Sequence, residues 1–409
     1  MPLDRKAEYV YLDYAATAPL CEEAAAAMSY FLTPGPGAIG HAANANSLHS
    51  AGRAAFESLE QTRRNLARSL GAKRPDEITF TSGATEANNA ALFGIANAEA
   101  NRRRLKPDPS ATRDARANAP HVIVSAIEHD AVLAPAKRLE AQGFRVTRLA
   151  PDRRGFIALD ALRAALSETT VLVSVQMANS EVGAIQPIPE LARAAHEAGA
   201  LFHTDAVQAL GKVPLRLEVL GVDAASFSAH KVGGPKGVGA LYLRARTPFE
   251  AQMLGGGQEA GRRSGTQNVC GAVGFAAACA AVCESGFLEA ESARLRTLRD
   301  RLYAGLSTFE RVRITSDPAC APESFLPNIA HVLVRGMESE TLIIRLDAKG
   351  FAVSGGSACA SASLDPSHVL TAMGVARDDA LGALRISLGR YTTEDHIDRF
   401  LQAFAACLK

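Results

Sequence analysis

The 409-residue sequence lacks an excess of charge of either sign, because 44 lysines and arginines offset 43 acidic residues and leave a formal net charge of +1. A chain balanced in this way has no overall field to attract nucleic acid or an anionic membrane. The clearest local exception is the basic run 102–106, within a proline- and alanine-rich stretch from about 101 to 120 that shows no apolar period. We interpret this stretch as a solvated loop and not as a binding patch.

Long apolar segments are also missing. No run of eighteen apolar residues occurs, and the segment from Met1 to Val10 is largely polar, so the sequence predicts neither a membrane span nor a secretory leader. The cysteines are odd in number and form no Cys-x-x-Cys pair; they stand at positions 21, 270, 279, 283, 320, 359 and 407. We therefore expect a cytoplasmic protein with reduced thiols and without a metal site.

The sequence does contain a regular alternation of short β-branched runs and alanine-rich helical stretches through its first two thirds. Strands are predicted at 77–81, 121–125, 171–175, 201–204, 225–227 and 239–243, and helices from about 85, at 131–142 and at 189–198. This alternation predicts an α/β fold with a parallel sheet and helices on both of its faces. The glycine-rich segment 254–257 is a plausible domain junction, followed by a long helical region at about 269–307. The chain length itself favours two domains.

Three polar clusters fall at strand ends, where ligands gather in open α/β sheets. Ser82 to Glu86 forms a glycine turn that opens a helix, which suits a phosphate but is equally typical of an ordinary helix start. Asp205 can pair with a protonated pyridine nitrogen or can cap a helix. Lys231 can form an imine if burial favours its amine, although a lone lysine is usually solvated.

The three clusters occur together, and in this order they resemble the class V aminotransferase group of fold-type I pyridoxal phosphate enzymes. Further motifs narrow the resemblance to the cysteine desulfurases of the NifS/IscS branch. They are Tyr11 to Thr17, Glu128-His129, Gly255 to Glu259, Arg263 to Thr266, Ser354 to Ser363 and Leu384 to Arg390. The resemblance extends from about Tyr11 to Thr393.

The resemblance implies the fold of a fold-type I PLP-dependent transferase. We expect a large domain at 17–260 with a mostly parallel seven-stranded sheet. A smaller α+β domain would comprise 1–16 and 261–409 and carry the Cys359 loop. The implied cofactor is pyridoxal 5'-phosphate, the implied substrate is L-cysteine, and the implied assembly is a homodimer. The implied partner is a sulfur-acceptor protein, such as an iron–sulfur scaffold or a tRNA-thiolation protein, with no direct contact to nucleic acid.

The family pattern also assigns roles to individual residues. Lys231 would form the Schiff base and then move protons, Asp205 would pair with the pyridine nitrogen, and His129 would stack on the ring. Gln208 would approach the ring hydroxyl. The phosphate would be held by Ala84, Thr85, Ser228 and His230, with Thr266 reaching in from a second subunit. Arg385 would grip the substrate carboxylate through its guanidinium fork, and Asn44 is assigned to substrate binding with it.

Cys359 selects the reaction in this pattern. Its thiolate would attack the substrate sulfur, giving an enzyme persulfide and alanine; the alternative is an inert cysteine in a loop of small residues. Two positions depart from the family. Ser180 stands where a second asparagine is usual, so a shorter hydroxyl would have to reach the ring oxygen, and the proline that usually follows Asn44 is absent.

Other functions remain open at this level. A selenocysteine lyase or another class V lyase or aminotransferase would share Lys231 and Asp205 without depending on Cys359. A non-catalytic scaffold that binds the cofactor and a partner would not need Arg385 and Cys359. An NAD-binding oxidoreductase is disfavoured, since no Gly-x-Gly-x-x-Gly follows the first strand.

Overall fold

The computed structural model describes residues 9–33, 35, 43–110, 118–284, 286–315, 321–356 and 365–409. Cys359 and most of its predicted loop lie outside the described residues. The strands, in chain order, are β1 (Val10–Tyr11), β2 (Ile78–Thr81), β3 (His121–Ser125), β4 (Arg145–Leu149), β5 (Thr170–Ser174), β6 (Leu201–Asp205), β7 (Ala224–Ser228), β8 (Gly239–Leu243), β9 (Val312–Ile314), β10 (Ile329–Val334), β11 (Phe351–Ala352) and β12 (Ala383–Ser387).

Helices connect these strands and cover the sheets. They are α1 (Glu22–Ser29), α2 (Ser50–Leu70), α3 (Ala84–Arg102), α4 (Asp130–Ala141), α5 (Leu159–Ala165), α6 (Ile188–Glu197), α7 (Leu217–Leu220), α8 (Val269–Cys283), α9 (Phe287–Leu306), α10 (Ser339–Asp347), α11 (His368–Ala372), α12 (Arg377–Ala380) and α13 (Glu394–Cys407).

Seven strands form the main sheet in the order β2-β8-β7-β6-β5-β3-β4. Six of these strands run in the same direction and β8 runs opposite to them, so the predicted mostly parallel seven-stranded sheet is confirmed. The sequence prediction missed β4, and it ended two strands too early. Asp205 and Ser228 are the last residues of β6 and β7, because both still pair in register, with Ser226 and Gly239.

Both faces of this sheet are buried, as the apolar run of β5 predicted. Alternate residues of each strand point to opposite faces. On one face, Phe202 and Phe227 belong to a cluster that also contains residues of α2, α6 and α8. On the other face, Val122 and Leu241 join a second cluster with residues of α3 and α4. This layering places the carboxyl ends of the central strands along one open edge.

A second core forms around the antiparallel sheet β12-β10-β9, against α9, α10 and α13. The start of the chain belongs to it, because Val10 and Leu12 are buried in the same cluster and β1 pairs in parallel with β11. The boundaries at 16/17 and 260/261 stay a prediction. Helix α8 contributes its buried face to the core of the main sheet, so we infer that the division after it, near 284, fits the packing better.

The long helical region expected at about 269–307 is confirmed, and it consists of two helices, α8 and α9, whose axes are bent by 73° relative to each other. Glu284 leaves the helical region with ψ 132°, and Gly286 has φ +85°, a conformation that glycine adopts without strain. Among the described residues no single helix is both long enough and apolar enough to cross a membrane. Only the bent pair of α8 and α9, taken together, meets both conditions.

Candidate active site

A cavity of about 520 Å³ opens at the carboxyl edge of the main sheet. Ten of the site residues predicted from the sequence line it, although they are spread over about 300 positions of the chain. They are Ala84, Thr85, His129, Ser180, Asp205, Gln208, Ser228, His230, Lys231 and Arg385. The parallel strands explain this convergence, because their carboxyl ends meet at one edge.

One end of the cavity is built to hold an anion. Helix α3 begins at Ala84, and Gly83 before it provides no side-chain cap, so the first N–H groups of the helix are left to a ligand. A Cβ placed on Gly83 would meet nothing within 4 Å, which shows that the space beside this turn is open. Lys236 lines the same cavity and adds positive charge.

Asp205 is fixed in the middle of the cavity at the end of β6 and is 8% exposed. Its Oδ2 accepts a hydrogen bond from Asn88 Nδ2 at 2.7 Å, and its Oδ1 accepts from the backbone N–H of Val207 at 3.0 Å. Each carboxylate oxygen keeps a second lone pair. Asp205 can therefore receive a further N–H donor, such as a protonated ring nitrogen, without losing its support.

Lys231 lies in a short 3-10 turn directly after β7. Its Nζ donates to the carbonyl oxygens of Ala15 at 2.6 Å and Ala16 at 2.7 Å. Gln208 Nε2 donates to the same Ala15 carbonyl at 3.0 Å. These two carbonyl oxygens are neutral acceptors, and they orient the amine. The segment that begins at β1 thus forms part of the lysine's surroundings.

Two histidines line the cavity, and their ring nitrogens have different hydrogen-bond partners. His129 precedes α4 and accepts the N–H of Ala131 at its Nδ1, so the ring caps the helix and also faces the cavity. His230 Nδ1 pairs with Thr17 Oγ1 at 3.1 Å. Burial lowers the pKa of His230 to about 4, with a further contribution from the positive charges of Lys231 and Lys236. His230 is therefore neutral at pH 7 in this structure.

Glu128 lies buried directly before His129 and has no predicted role. Its Oε1 accepts from Ser125 Oγ at 2.5 Å and from the backbone N–H of Gln176 at 2.7 Å, while Oε2 is buried without a partner among the described residues. Burial raises the pKa of Glu128 to about 8, and the negative charge of Asp205 raises it further. The carboxyl group is thus largely protonated at neutral pH.

Arg385 is 2% exposed and closes the cavity wall. Its Nη2 donates to Asp13 Oδ1 at 2.8 Å, and its Nη1 donates to the backbone carbonyl of Ser180 at 3.0 Å. Ser180 was expected to act through its hydroxyl group. In the structure its carbonyl oxygen takes part in the site by orienting the arginine.

Neither Asn44 nor Thr266 is among the described residues that line this chain's cavity, so the structure does not support Asn44 as a substrate ligand within one subunit. Asn44 Oδ1 instead accepts from the backbone and side chain of Asn46, and Asn46 Nδ2 donates to Gln267 Oε1 at 2.8 Å. Both residues therefore lie in one exposed region. An ion pair of Arg263 with Glu86, at 2.8 Å, joins this region to the start of α3.

The sequence analysis did not identify four residues whose hydrogen bonds fix the lining residues or the segments next to them. They are Asn88, Asp13, Glu128 and Glu181. Asp13 and Glu128 fell inside quoted motifs, which was the only signal that could have found them. The role of each depends on a partner that is distant in the sequence.

Comparison with known proteins gives a consistent result. The model of the family described as aminotransferase class V matches residues 10–400. A cysteine desulfurase IscS of Pectobacterium carotovorum is 44% identical over 391 residues, which cover 95% of this chain and 90% of the relative. A cysteine desulfurase IscS of Dictyoglomus turgidum is 42% identical over 95% of this chain and 92% of its own length.

Solved structures of similar fold include proteins of the same kind as these relatives. A NifS-like protein is 37% identical and superposes with a TM-score of 0.85 over 98% of this chain and 99% of its own. A protein described as SspA in complex with cysteine is 30% identical, with a TM-score of 0.75 over 94% of this chain and 100% of its own.

Proposed function

The chain belongs to the class V aminotransferase family, and we propose that within this family it acts as a cysteine desulfurase, which removes sulfur from L-cysteine and leaves L-alanine. The observation that carries this proposal is the placement of Lys231, Asp205 and Arg385 in one cavity of a chain that is 42–44% identical to cysteine desulfurases over 95% of its length.

The residues of the cavity fit pyridoxal 5'-phosphate. The open start of α3 and the neutral His230 suit its phosphate, the supported carboxylate of Asp205 suits its ring nitrogen, and Lys231 supplies the amine for its aldehyde. The volume of about 520 Å³ is within the usual range for a small-molecule site. When bound, this cofactor supplies an electron sink for the substrate carbon skeleton.

Arg385 is the group that we propose for the substrate carboxylate. Its fork uses one N–H of Nη1 and one of Nη2 for Ser180 and Asp13, and a guanidinium carries five N–H groups in all. The guanidinium group therefore has further N–H donors for a carboxylate, while its two hydrogen bonds fix the orientation of its plane. His129 also lines the cavity, where it would stack on the cofactor ring.

Cys359 is the proposed sulfur acceptor, on the support of the Ser354 to Ser363 motif. Its thiolate would attack the substrate sulfur, so that a sulfur–sulfur bond forms and the substrate carbon–sulfur bond breaks. The electron pair of the broken bond stays with the three-carbon fragment, which takes up a proton and becomes alanine. We assign the delivery of that proton to Lys231, which lines the cavity. A cytoplasmic acceptor protein for iron–sulfur assembly or tRNA thiolation would then collect the sulfur.

We propose that the active form is a homodimer in which Thr266 completes the partner's phosphate site. Leu48 and Leu254 are 90% and 83% exposed, and such large apolar side chains at the surface favour an interface. Both belong to the region that holds Thr266, because Asn46 contacts Gln267 and the Met253 carbonyl accepts the N–H of Ser264.

The test of this function is a comparison of the wild type with Cys359→Ala in assays of cysteine-dependent alanine and protein persulfide. We expect the wild type to form both products and Cys359→Ala to form neither while still binding cysteine. Cys270→Ala, which removes a half-buried thiol, is the matched control and should keep full activity. Full activity of Cys359→Ala on selenocysteine, with none on cysteine in either protein, would contradict the proposal and favour a selenocysteine lyase.

A further inference from the structure

We propose that Glu181 is a positioning residue for the sulfur-accepting cysteine, because its carboxyl group contacts both described flanks of the segment that contains Cys359. This inference rests on the proposed function, in which Cys359 receives the sulfur. Glu181 lies in the loop between β5 and α6 and is 1% exposed. A buried carboxyl group needs polar partners, and here those partners are the two flanks.

The flank that follows Cys359 is held through Ser367. The hydroxyl group of Ser367 donates to Glu181 Oε2 at 2.5 Å. Ser367 Oγ in turn accepts the N–H groups of Val369 at 3.1 Å and Leu370 at 3.4 Å, and so caps α11. A hydroxyl group has one proton to give, so Glu181 determines how this cap is oriented.

The flank that precedes Cys359 packs against the same carboxyl group through Gly356. A Cβ placed on Gly356 would lie 3.1 Å from Glu181 Oε2, so a side chain there would require the carboxyl group to move by a few tenths of an ångström. Gly356 also has φ +143°, in the range that favours glycine. Just before it, Ser354 exchanges two backbone hydrogen bonds with Arg385, of 2.7 and 3.2 Å. This flank is thus fixed to β12 on one side and to Glu181 on the other.

Glu181 is itself fixed relative to the substrate site. Asn179 Oδ1 accepts the N–H groups of Glu181 and Val182, both at 2.9 Å, which makes the turn rigid. The residue between them, Ser180, gives its carbonyl oxygen to Arg385. The carboxyl group that joins the two flanks is therefore one residue away from the group that orients the proposed carboxylate ligand.

The charge state of Glu181 decides which substitution should preserve this role. Burial raises the pKa of Glu181; the positive charges of His368 and Arg385 oppose that shift, and Asp130 adds to it. The neutral form is thus favoured to a higher pH than in an exposed glutamate. Glutamine keeps the shape of the neutral side chain and the oxygen that accepts from Ser367, so we expect it to replace glutamate.

The experiment uses the cofactor-loaded enzyme with Glu181→Ala, Glu181→Gln and Ser367→Ala. Thr393→Ala is the matched control, because Thr393 caps the distant helix α13 through a similar hydrogen bond to the N–H of His396. Three quantities are measured: alanine formation from cysteine in a single turnover, the affinity for L-alanine from the cofactor absorbance, and the rate at which iodoacetamide alkylates Cys359, by mass spectrometry.

We expect Glu181→Ala to slow the single turnover on the order of 10- to 100-fold and to change the alkylation rate, because displacing a reacting group by about 1 Å has effects of this size. The affinity for L-alanine, which needs no thiol, should stay within about twofold of the wild type. Glu181→Gln should restore most of the rate. Ser367→Ala should slow the turnover in the same direction, whereas Thr393→Ala should leave it unchanged.

A wild-type single-turnover rate in both Glu181→Ala and Ser367→Ala would overturn the inference, while an inactive Cys359→Ala would leave the proposed function standing. Equal loss of L-alanine affinity and turnover, or a Glu181→Gln variant as slow as Glu181→Ala, would also overturn it. An unreactive wild type would contradict the proposed function instead. If Glu181→Ala does not fold, Ser367→Ala and Glu181→Gln decide the question alone.

Discussion

Arg385 and Asp13 form an ion pair in the wall of the cavity, with 2.8 Å between Nη2 and Oδ1, although they are 372 positions apart in the sequence. The arginine side chain is 2% exposed and that of the aspartate is 17% exposed. A cation buried this deeply requires a partner. Asp13 therefore provides both the counter-charge and the orientation of the proposed substrate ligand.

Removal of this counter-charge should weaken folding and substrate binding together. We expect Asp13→Ala to lower the free energy of unfolding by about 3 kcal/mol, because it leaves a buried guanidinium unpaired, and to raise the KM for cysteine. Urea unfolding and steady-state kinetics measure the two effects. Asp160→Ala is the control, since its pair with Arg163 is long and exposed and should contribute less than about 1 kcal/mol. An unchanged KM in Asp13→Ala would contradict the orienting role.

The assignment of Lys231 predicts a spectroscopic result. Lys231→Ala should lose the visible absorbance of the protein-bound cofactor and all desulfurase activity, because it removes the amine that the Ala15 and Ala16 carbonyls orient. Lys236→Ala removes a second amine that lines the cavity and is the matched control. It should weaken cofactor affinity and keep the spectrum. The same visible band in purified Lys231→Ala would show that the assignment is wrong.

Glu128 predicts how stability depends on pH. Its pKa is raised from 4.5 to about 8 in the folded protein, so between these values the folded state keeps a proton that the unfolded state has released. Stability therefore falls as pH rises through this window, by up to about 1.4 kcal/mol per pH unit from this group. Glu128→Gln cannot ionise and should lose this slope. Urea unfolding of both proteins between pH 5 and 8, in the same cofactor state, measures the difference; parallel curves would contradict the prediction.

A shared site predicts that two defective proteins can complement each other. Lys231→Ala should be inactive and Thr266→Ala weakly active as separate homodimers. In a mixed dimer, one cavity combines the intact Lys231 of one chain with the intact Thr266 of the other. We expect co-expression and tandem purification of differently tagged chains to recover up to about half of the wild-type activity per dimer. Activity no higher than the mean of the two parents would contradict a shared site.

The sequence was sufficient to predict six of the seven strands of the main sheet and the groups that line the cavity at its edge. Each of these depends on local pattern: the apolar run at 171–175 indicates a central strand, and Asp205 and Lys231 follow directly from the strands that carry them. The same logic missed β4 (Arg145 to Leu149), in which only Val146 and Leu149 are buried and which includes two arginines. It also could not detect the break between α8 and α9, since both segments are helical in composition.

The supporting residues could not be predicted because their partners come from elsewhere in the chain. Asn88 is one of two adjacent asparagines in a helix, and only the folded structure shows that it meets Asp205, 117 positions away. Glu181 is similar: in the sequence it is a glutamate before a glycine turn, while its contact with Ser367 spans 186 positions. Burial, which changes the pKa of Glu128 and His230, likewise arises only from packing.

The contacts of β1 have a consequence for synthesis on the ribosome. Val10 pairs with Phe351, and Asp13 accepts a hydrogen bond from Arg385. The carbonyl groups that orient Lys231 therefore follow a strand whose partners are synthesised near the end of the chain. At a translation rate of about 5–20 residues per second, the first strand must remain unpaired for roughly 20 to 70 s. The nascent chain therefore cannot complete the surroundings of Lys231 until nearly all of it has been made.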